Sequence, residues 1–300
     1  MKTVLILGAT GNLGGLAASV LTEKYPEVGL RLTSSRGSGC DSLRELYPNA
    51  EVLRADWYDL SSLVEAMRGV DSVFIVVPDF TTDESIVTPN IISAVKTVGG
   101  ISQVVRLIAI PPGLSAAQLS PEFLATRCGA NLSVIAKPLL DTSGLPMTYI
   151  NVPCWIMFNL PWFLAPEIKA RRRLAMPRSS DSSRLWISEA DVAEVAAKIL
   201  AEDPSKHGGE EYVLTGTERI DFAQITRLLG EVIGEEVVLA DDDRPLRDAM
   251  GDKFDALMTY FRHETRDYDG VSVTNTVARL LGRPQVTLRQ YLAANRELFI

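Results

Sequence analysis

The sequence predicts an α/β fold, a doubly wound parallel sheet with a smaller mixed C-terminal lobe that binds substrate. Three observations carry this. Strand-like and helix-like segments alternate through the first half of the 300 residues. The first strand runs straight into a glycine-spaced turn and a helix. After Asn151 the alternation weakens. Strand–helix–strand repeats with short links imply parallel strands with helices on both faces, and right-handed crossovers then wind the sheet in two directions.

Val4 to Leu7 is a short apolar strand, and Leu13 to Lys24 a helix with Leu16, Val20 and Leu21 at helical spacing. Leu30 to Ser34 is the second strand, Ser42 to Tyr47 a short helix and Glu51 to Ala55 the third strand. Asp59 is placed to cap a helix that turns Leu63, Met67 and Val70 inward. Val73 to Val77 is a strand closed by Pro78, and Pro89 to Val98 a helix with proline near its first turn. Val104 to Ile108, a helix over Ser133 to Ser143 and the strand Met147 to Asn151 complete the repeat. Beyond it, Ala190 to Glu202, Asp221 to Gly230, Asp248 to Arg262 and Thr287 to Leu298 read as helices, with strands at Tyr212 to Thr215 and Glu236 to Ala240. The expected division is 1–153 for a nucleotide-binding domain and 154–300 for the substrate lobe, interleaved with the first.

Composition excludes several classes. A formal net charge of −8 offers no general field for nucleic acid. No apolar run is long enough to span a membrane or serve as a signal peptide. Cys40, Cys128 and Cys154 form no paired metal motif and suit a reducing compartment, and Asp241-Asp242-Asp243 reads as a solvated turn, so no metal site is expected. The expectation is a cytoplasmic monomer or homodimer whose partner is a hydrophobic small-molecule substrate.

The strongest motif is Gly8-Ala9-Thr10-Gly11-Asn12-Leu13-Gly14. Between a strand and a helix, Gly8 permits the tight turn, Gly11 admits a diphosphate to the backbone, and Gly14 lets helix and strand pack closely. The free amides of the helix start then face the phosphates. This is a Rossmann-type dinucleotide site. The second strand ends Leu32-Thr33-Ser34-Ser35-Arg36, without the carboxylate that bonds the ribose 2′-hydroxyl of NAD. Arg36 can pair with a 2′-phosphate and Ser34 can hydrogen-bond it, so the expected cofactor is NADP(H). Asp56 either reaches the adenine amine or shapes the turn towards Asp59, and Val77 and Pro78 are expected along the adenosine ribose.

These residues resemble the atypical short-chain dehydrogenases/reductases and, within them, the NmrA-like family. The glycine turn is similar to that family's nucleotide motif, and Lys137 to Ile150 to its helix-then-strand segment. Trp186 to Ala193, Tyr212 to Gly216 and Leu281 to Pro284 are also family-like, so the resemblance spans nearly the whole chain. It implies an NADP(H)-dependent oxidoreductase that reduces an iminium, enone or quinone-like molecule in secondary metabolism. The family also contains dinucleotide-binding regulators and non-redox ring-closing members, so a silent sensor and a cyclase or isomerase stand as alternatives.

Ordinary short-chain dehydrogenases pair a catalytic Tyr with a Lys four residues later. Lys137 matches the Lys, as ribose ligand and catalytic residue, but Ser133 stands in the Tyr position, and Ala109-Ile110-Pro111 replaces the usual Ser. An acceptor that needs little enzyme-supplied acid fits this pattern best. Val152 and Pro153, after the last core strand, are expected beside the nicotinamide. Trp155, Met157, Phe158 and Trp162, with Tyr260, are expected to form an aromatic substrate wall, and His263 can line it as an acid or base.

Overall fold

The computed structural model describes residues 2–177, 183–268 and 270–300. In chain order it forms β1 (Thr3–Leu7), α1 (Asn12–Lys24), β2 (Gly29–Ser34), α2 (Gly37–Leu46), β3 (Glu51–Arg54), α3 (Leu60–Met67), β4 (Ser72–Ile75), α4 (Glu84–Val98) and β5 (Gln103–Ile108). Then come α5 (Pro121–Ala125), α6 (Ala130–Asp141), β6 (Met147–Asn151), β7 (Trp155–Ile156), α7 (Asn159–Arg171), β8 (Arg173–Met176) and β9 (Arg184–Ile187). The chain ends with α8 (Glu189–Ala201), β10 (Glu211–Val213), β11 (Arg219–Ile220), α9 (Phe222–Ile233), β12 (Val238–Asp241), α10 (Arg244–Met250), α11 (Phe254–Tyr268), α12 (Thr276–Leu281) and α13 (Leu288–Ala294).

Two compact units result. The first comprises Met1–Ile110, Gly129–Asn151 and Val192–Val213. It holds a seven-stranded sheet in the order β10-β6-β5-β4-β1-β2-β3, parallel at every pairing. Strand order reverses between β1 and β4, the switch point where open α/β sheets bind ligands beyond their carboxyl ends. Val4–Leu7 on β1 and Val73–Ile75 on β4 are buried, as expected of strands covered on both faces.

The second unit comprises Pro111–Cys128, Val152–Asp191 and Leu214–Ile300. It contains a mixed three-stranded sheet, β11-β9-β7, and the parallel pair β12-β8. Its hydrophobic core includes Trp186, Phe222 and Phe261, each at most 2% exposed.

Several boundaries differ from the sequence expectation for identifiable reasons. Helix α4 begins five residues before Pro89, because the Asp83 carboxylate accepts the Ser85 amide hydrogen and sets the start there; Pro89 sits inside the helix. Helix α2 begins at Gly37, well before Ser42. The single helix expected over Asp248 to Arg262 is broken at Gly251, whose φ of +56° caps α10. The strand expected near Tyr212 is β10, which extends the large sheet beside β6 instead of joining the later, mixed strands.

Candidate functional site

The turn after β1 leaves no room for a side chain at Gly8 or Gly14. Gly8 has φ +95°, and a Cβ on it would stand 2.2 Å from the Val76 carbonyl oxygen. A Cβ on Gly14 would stand 2.3 Å from the Gly8 carbonyl oxygen, so the helix start packs directly on the turn backbone. The Gly11 N–H donates to the Gly8 carbonyl at 3.0 Å and closes the turn. Gly11 caps α1 without any side-chain hydrogen bond, so the amides of the first turn face outward unsatisfied by a cap. Thr10, Gly11 and Asn12 are exposed there, while Leu13 is buried beneath.

At the end of β2 the polar groups expected for the ribose come together. Ser34 is buried, and its hydroxyl accepts the Arg36 amide hydrogen at 3.2 Å. A Cβ on Gly39 would stand 2.2 Å from Ser34 Oγ and 3.2 Å from Thr10 Cγ2, so Gly39 lets Thr10 and Ser34 lie side by side. Arg36 is exposed and is the N-cap residue of α2. A second guanidinium, missed in the sequence, stands next to it. Arg54 pairs with Ser34 across β2 and β3, and its Nε donates to the Ser35 carbonyl at 2.9 Å. Arg54 is exposed at the end of β3 and is hydrogen-bonded to the short loop that carries Arg36 and starts α2. The Asp56 carboxylate accepts the Tyr58 amide hydrogen at 3.0 Å and shapes the turn; Asp59 caps α3 itself.

Beyond β4, β5 and β6, side chains bracket the loose backbone. Ser133 on α6 is buried, and its hydroxyl accepts the Ala109 amide hydrogen at 3.0 Å. The Asn151 amide grips Ile110 on both sides, accepting from its N–H at 2.8 Å and donating to its carbonyl at 2.8 Å. Asn151 Nδ2 also donates to Glu211 at 2.6 Å. Lys137 belongs to this chain of contacts. Its ammonium lies 2.9 Å from Asp141, 3.6 Å from Glu211 and 4.6 Å from the Tyr149 ring centroid. Burial, with Asp141 as hydrogen-bond partner, pushes the Tyr149 phenol up.

The loop after β4 is also held from several directions. Val77 is half-buried and Pro78 exposed. The Thr82 hydroxyl donates to the Pro78 carbonyl at 2.7 Å, and the Tyr58 hydroxyl donates to Thr81 and accepts from the Asp83 amide. Phe80 has φ +65°, a conformation that costs a non-glycine residue roughly 1–3 kcal/mol and persists only where surroundings impose it. Asp79 accepts the Gly129 amide hydrogen at 3.0 Å, which ties this loop to the start of α6.

The residues expected to form the nicotinamide flank and substrate wall lie in the second unit. Val152 and Pro153 are buried directly after β6. The aromatic residues fall into separate clusters instead of one wall. Trp155 packs on Trp186 and Phe261 at 5.2 Å, with the Arg184 guanidinium 4.8 Å from its ring, and its indole N–H donates to Glu264. Arg184 and Glu264 pair at 3.4 Å, both buried, and burial raises the Glu264 carboxyl against that pairing. Phe158, Trp162 and Phe163 form a second stack, with Trp162 56% exposed. Met157 is buried, and Tyr260 is buried against Phe123 at 5.3 Å; both are core residues. The His263 side chain lies outside the described residues. The expected solvated turn at Asp241-Asp242-Asp243 is an ion-pair hub, because Asp242 pairs with Arg173 and Arg244 and Asp243 with Arg247.

Among the described residues no group of three His, Cys, Asp or Glu side chains could hold a metal ion, and no helix is long and apolar enough to cross a membrane.

Comparison with known proteins places this geometry in context. The sequence profile of the NmrA-like family matches residues 1–241. A reductase of (4-alkanoyl-5-oxo-2,5-dihydrofuran-3-yl)methyl phosphate from Streptomyces griseus is 26% identical over 304 residues, covering 99% of each chain. An NADPH-dependent quinone oxidoreductase from Escherichia coli, solved with NADPH, superposes with a TM-score of 0.76 at 21% identity, covering 98% of this chain and 99% of that one. A triphenylmethane reductase from Citrobacter sp., solved with NADP(H), gives a TM-score of 0.76 at 18% identity, covering 98% and 99%. At these identities the two solved structures establish likeness of fold.

Proposed function

The chain belongs to the NmrA-like family, and from that premise we propose that it is an NADPH-dependent reductase of a hydrophobic, conjugated acceptor of the enone class. One observation carries the reading. The glycine cradle after β1 and the cation pair Arg36–Arg54 after β2 lie at neighbouring strand ends of one sheet, matching a diphosphate and a ribose 2′-phosphate respectively.

The fit to the dinucleotide is chemical as well as spatial. The first-turn amides of α1 hold the diphosphate, and the positive end of the helix favours its charge. Arg36, Arg54 and Ser34 hold the 2′-phosphate through charge-assisted hydrogen bonds, where NADH offers only a hydroxyl. When bound, the nicotinamide supplies hydride to the β-carbon of the acceptor. Lys137, with its ammonium engaged by Asp141 and Glu211, acts indirectly. It steadies Glu211, which holds Asn151, which fixes the backbone at Ile110.

The enone class is favoured by what stands in the Tyr position. Ser133 is seated on the Ala109 amide and has no phenolic acidity to support simple carbonyl reduction. The Streptomyces griseus relative is named for the methyl phosphate ester of an acylated, unsaturated lactone, whose ring double bond is of the conjugated kind.

The test is turnover of NADPH by the purified protein with a panel of cyclic enones and acyl-substituted unsaturated lactones. Loss of reduced-nicotinamide absorbance with a saturated product is expected, faster with NADPH than with NADH. Tight NADPH binding without turnover across the panel would contradict the reductase reading. A product formed in the presence of NADP+ with no net redox change would favour a non-redox isomerase.

A further inference from the structure

We propose that His207 is a proton-operated latch on β10, at the edge of the seven-stranded sheet: the neutral imidazole holds the strand through Tyr212, and the protonated ring releases it. The device belongs to the first unit's own geometry and is independent of the reductase reading. β10 is three residues long and pairs with β6 alone among the described strands. Short elements with few packed neighbours open most readily, so a side-chain anchor on such a strand has leverage.

That anchor is buried. His207 and Tyr212 are 3% and 6% exposed, and their rings meet edge to face with centroids 5.8 Å apart. Nδ1 of His207 lies 2.9 Å from the Tyr212 hydroxyl. On the other side of the ring, Nε2 faces the Glu202 carboxylate at 3.3 Å. A ring lone pair aimed at a carboxylate would be repelled, so Nε2 carries the hydrogen and Nδ1 accepts from Tyr212. The His207 backbone is fixed separately. Its carbonyl accepts from the Thr148 hydroxyl at 2.8 Å, and its N–H donates to the Pro204 carbonyl at 3.1 Å. The imidazole is thus held beside the sheet while its bond to β10 depends on its protonation state.

Protonation removes the acceptor. With a hydrogen on each ring nitrogen, Nδ1 can no longer take the Tyr212 hydrogen, and the imidazolium is drawn to Glu202. Burial holds the His207 pKa below the ordinary histidine value against the pull of Glu202, and Lys2 and Lys206 add to the lowering. Glu202 is shared with Lys198 at 2.6 Å and Lys206 at 3.9 Å, while Asp71 and Asp203 act on Lys2. A ring that resists its proton when latched takes it up more readily once β10 is loose. The latch is therefore at full strength above about pH 6.5 and weakens as the pH falls below it. Its release reaches the strand ends. Glu211, next to Tyr212, accepts from Asn151 at 2.6 Å, and Asn151 brackets Ile110. Loosening β10 in acid frees the carboxamide that shapes the backbone after β5.

The whole chain has two histidines, so proton NMR follows His207 directly, with His263→Gln assigning the signals. Amide hydrogen exchange over Glu211–Val213 and at Ile110 is compared at about pH 7.5 and about pH 5.5, either side of the ordinary histidine range. Rates are corrected for the intrinsic pH dependence of exchange. The deciding variant is His207→Gln, whose side-chain oxygen can accept from Tyr212 but takes up no proton. His207 should titrate below about 6.5. In the wild type the corrected exchange of both segments should rise about tenfold in acid, the scale of one buried hydrogen bond, and in His207→Gln it should stay flat. Tyr212→Phe, with no hydroxyl to donate, should exchange fast at both pH values. Flat exchange in the wild type, acid loosening retained in His207→Gln, a midpoint at or above the ordinary histidine value, or wild-type protection in Tyr212→Phe would each overturn the latch.

Discussion

The strand ends of the first unit and the aromatic core of the second use their polar groups in different ways. In the first, polar side chains gather beyond the carboxyl ends of the strands and grip backbone: Ser133 holds Ala109, Asn151 holds Ile110, Asp79 holds Gly129 and Arg54 holds Ser35. In the second, the buried pair Arg184 and Glu264 is sealed among Trp155, Phe222 and Phe261, as Glu84 and Arg106 are sealed in the first unit away from its strand ends. A backbone-gripping group sets the shape of a surface that a ligand can meet. A sealed pair adds nothing to such a surface; it fixes how a core packs. Substitutions in the first unit should therefore alter binding and turnover, and substitutions at the sealed pair should alter stability.

The largest effect expected is at that pair. Glu264→Ala removes a buried carboxylate that pairs with the Arg184 guanidinium and accepts from the Trp155 indole, a change that costs about 3–5 kcal/mol in comparable settings. Chemical denaturation should show the full loss; a change below about 1 kcal/mol would place the pair in solvent-like surroundings. Gly14→Ala comes next. Its Cβ would meet the Gly8 carbonyl oxygen at 2.3 Å, so the turn must shift. Overpacking of this kind costs about 1–3 kcal/mol, and NADPH affinity should fall with it. Retained affinity would mean that the cradle is not the diphosphate site.

How far these differences were legible depends on the range of the interactions. The strand–turn–helix start was readable because its glycines, apolar strand and helix are contiguous. So were Arg36 and Ser34, which belong to one short segment. Arg54 was not, because its relation to that segment exists only through the pairing of β3 with β2. Asp79 was hidden for the same reason, since its partner Gly129 is 50 residues away. Lys137 was recognisable by motif, but its engagement depends on Glu211, brought alongside β6 by β10. The aromatic run after Asn151 looked like one wall because adjacency in sequence hides direction: Met157 turns into the core while Trp162 stays exposed.

Smaller effects sharpen the contrast. Lys137→Met should cost under about 1 kcal/mol of stability, as for a half-exposed ion pair, and should lower kcat without weakening NADPH. A marked loss of NADPH affinity would restore Lys137 as a direct ribose ligand. Trp162→Ser should be the mildest, within about 0.5 kcal/mol in a denaturation experiment, because the ring is largely in solvent. A larger loss would show that its stack with Phe158 and Phe163 carries structural weight.

The central claim is that the first unit recognises a 2′-phosphorylated dinucleotide through Arg36 and Arg54. Titration calorimetry of wild type and Arg36→Gln/Arg54→Gln with NADPH and NADH tests it directly. The wild type should prefer NADPH by about tenfold or more, the scale of one charge-assisted hydrogen bond, and the double variant should bind the two nucleotides alike. No heat with NADPH, or an undiminished preference in the variant, would contradict it.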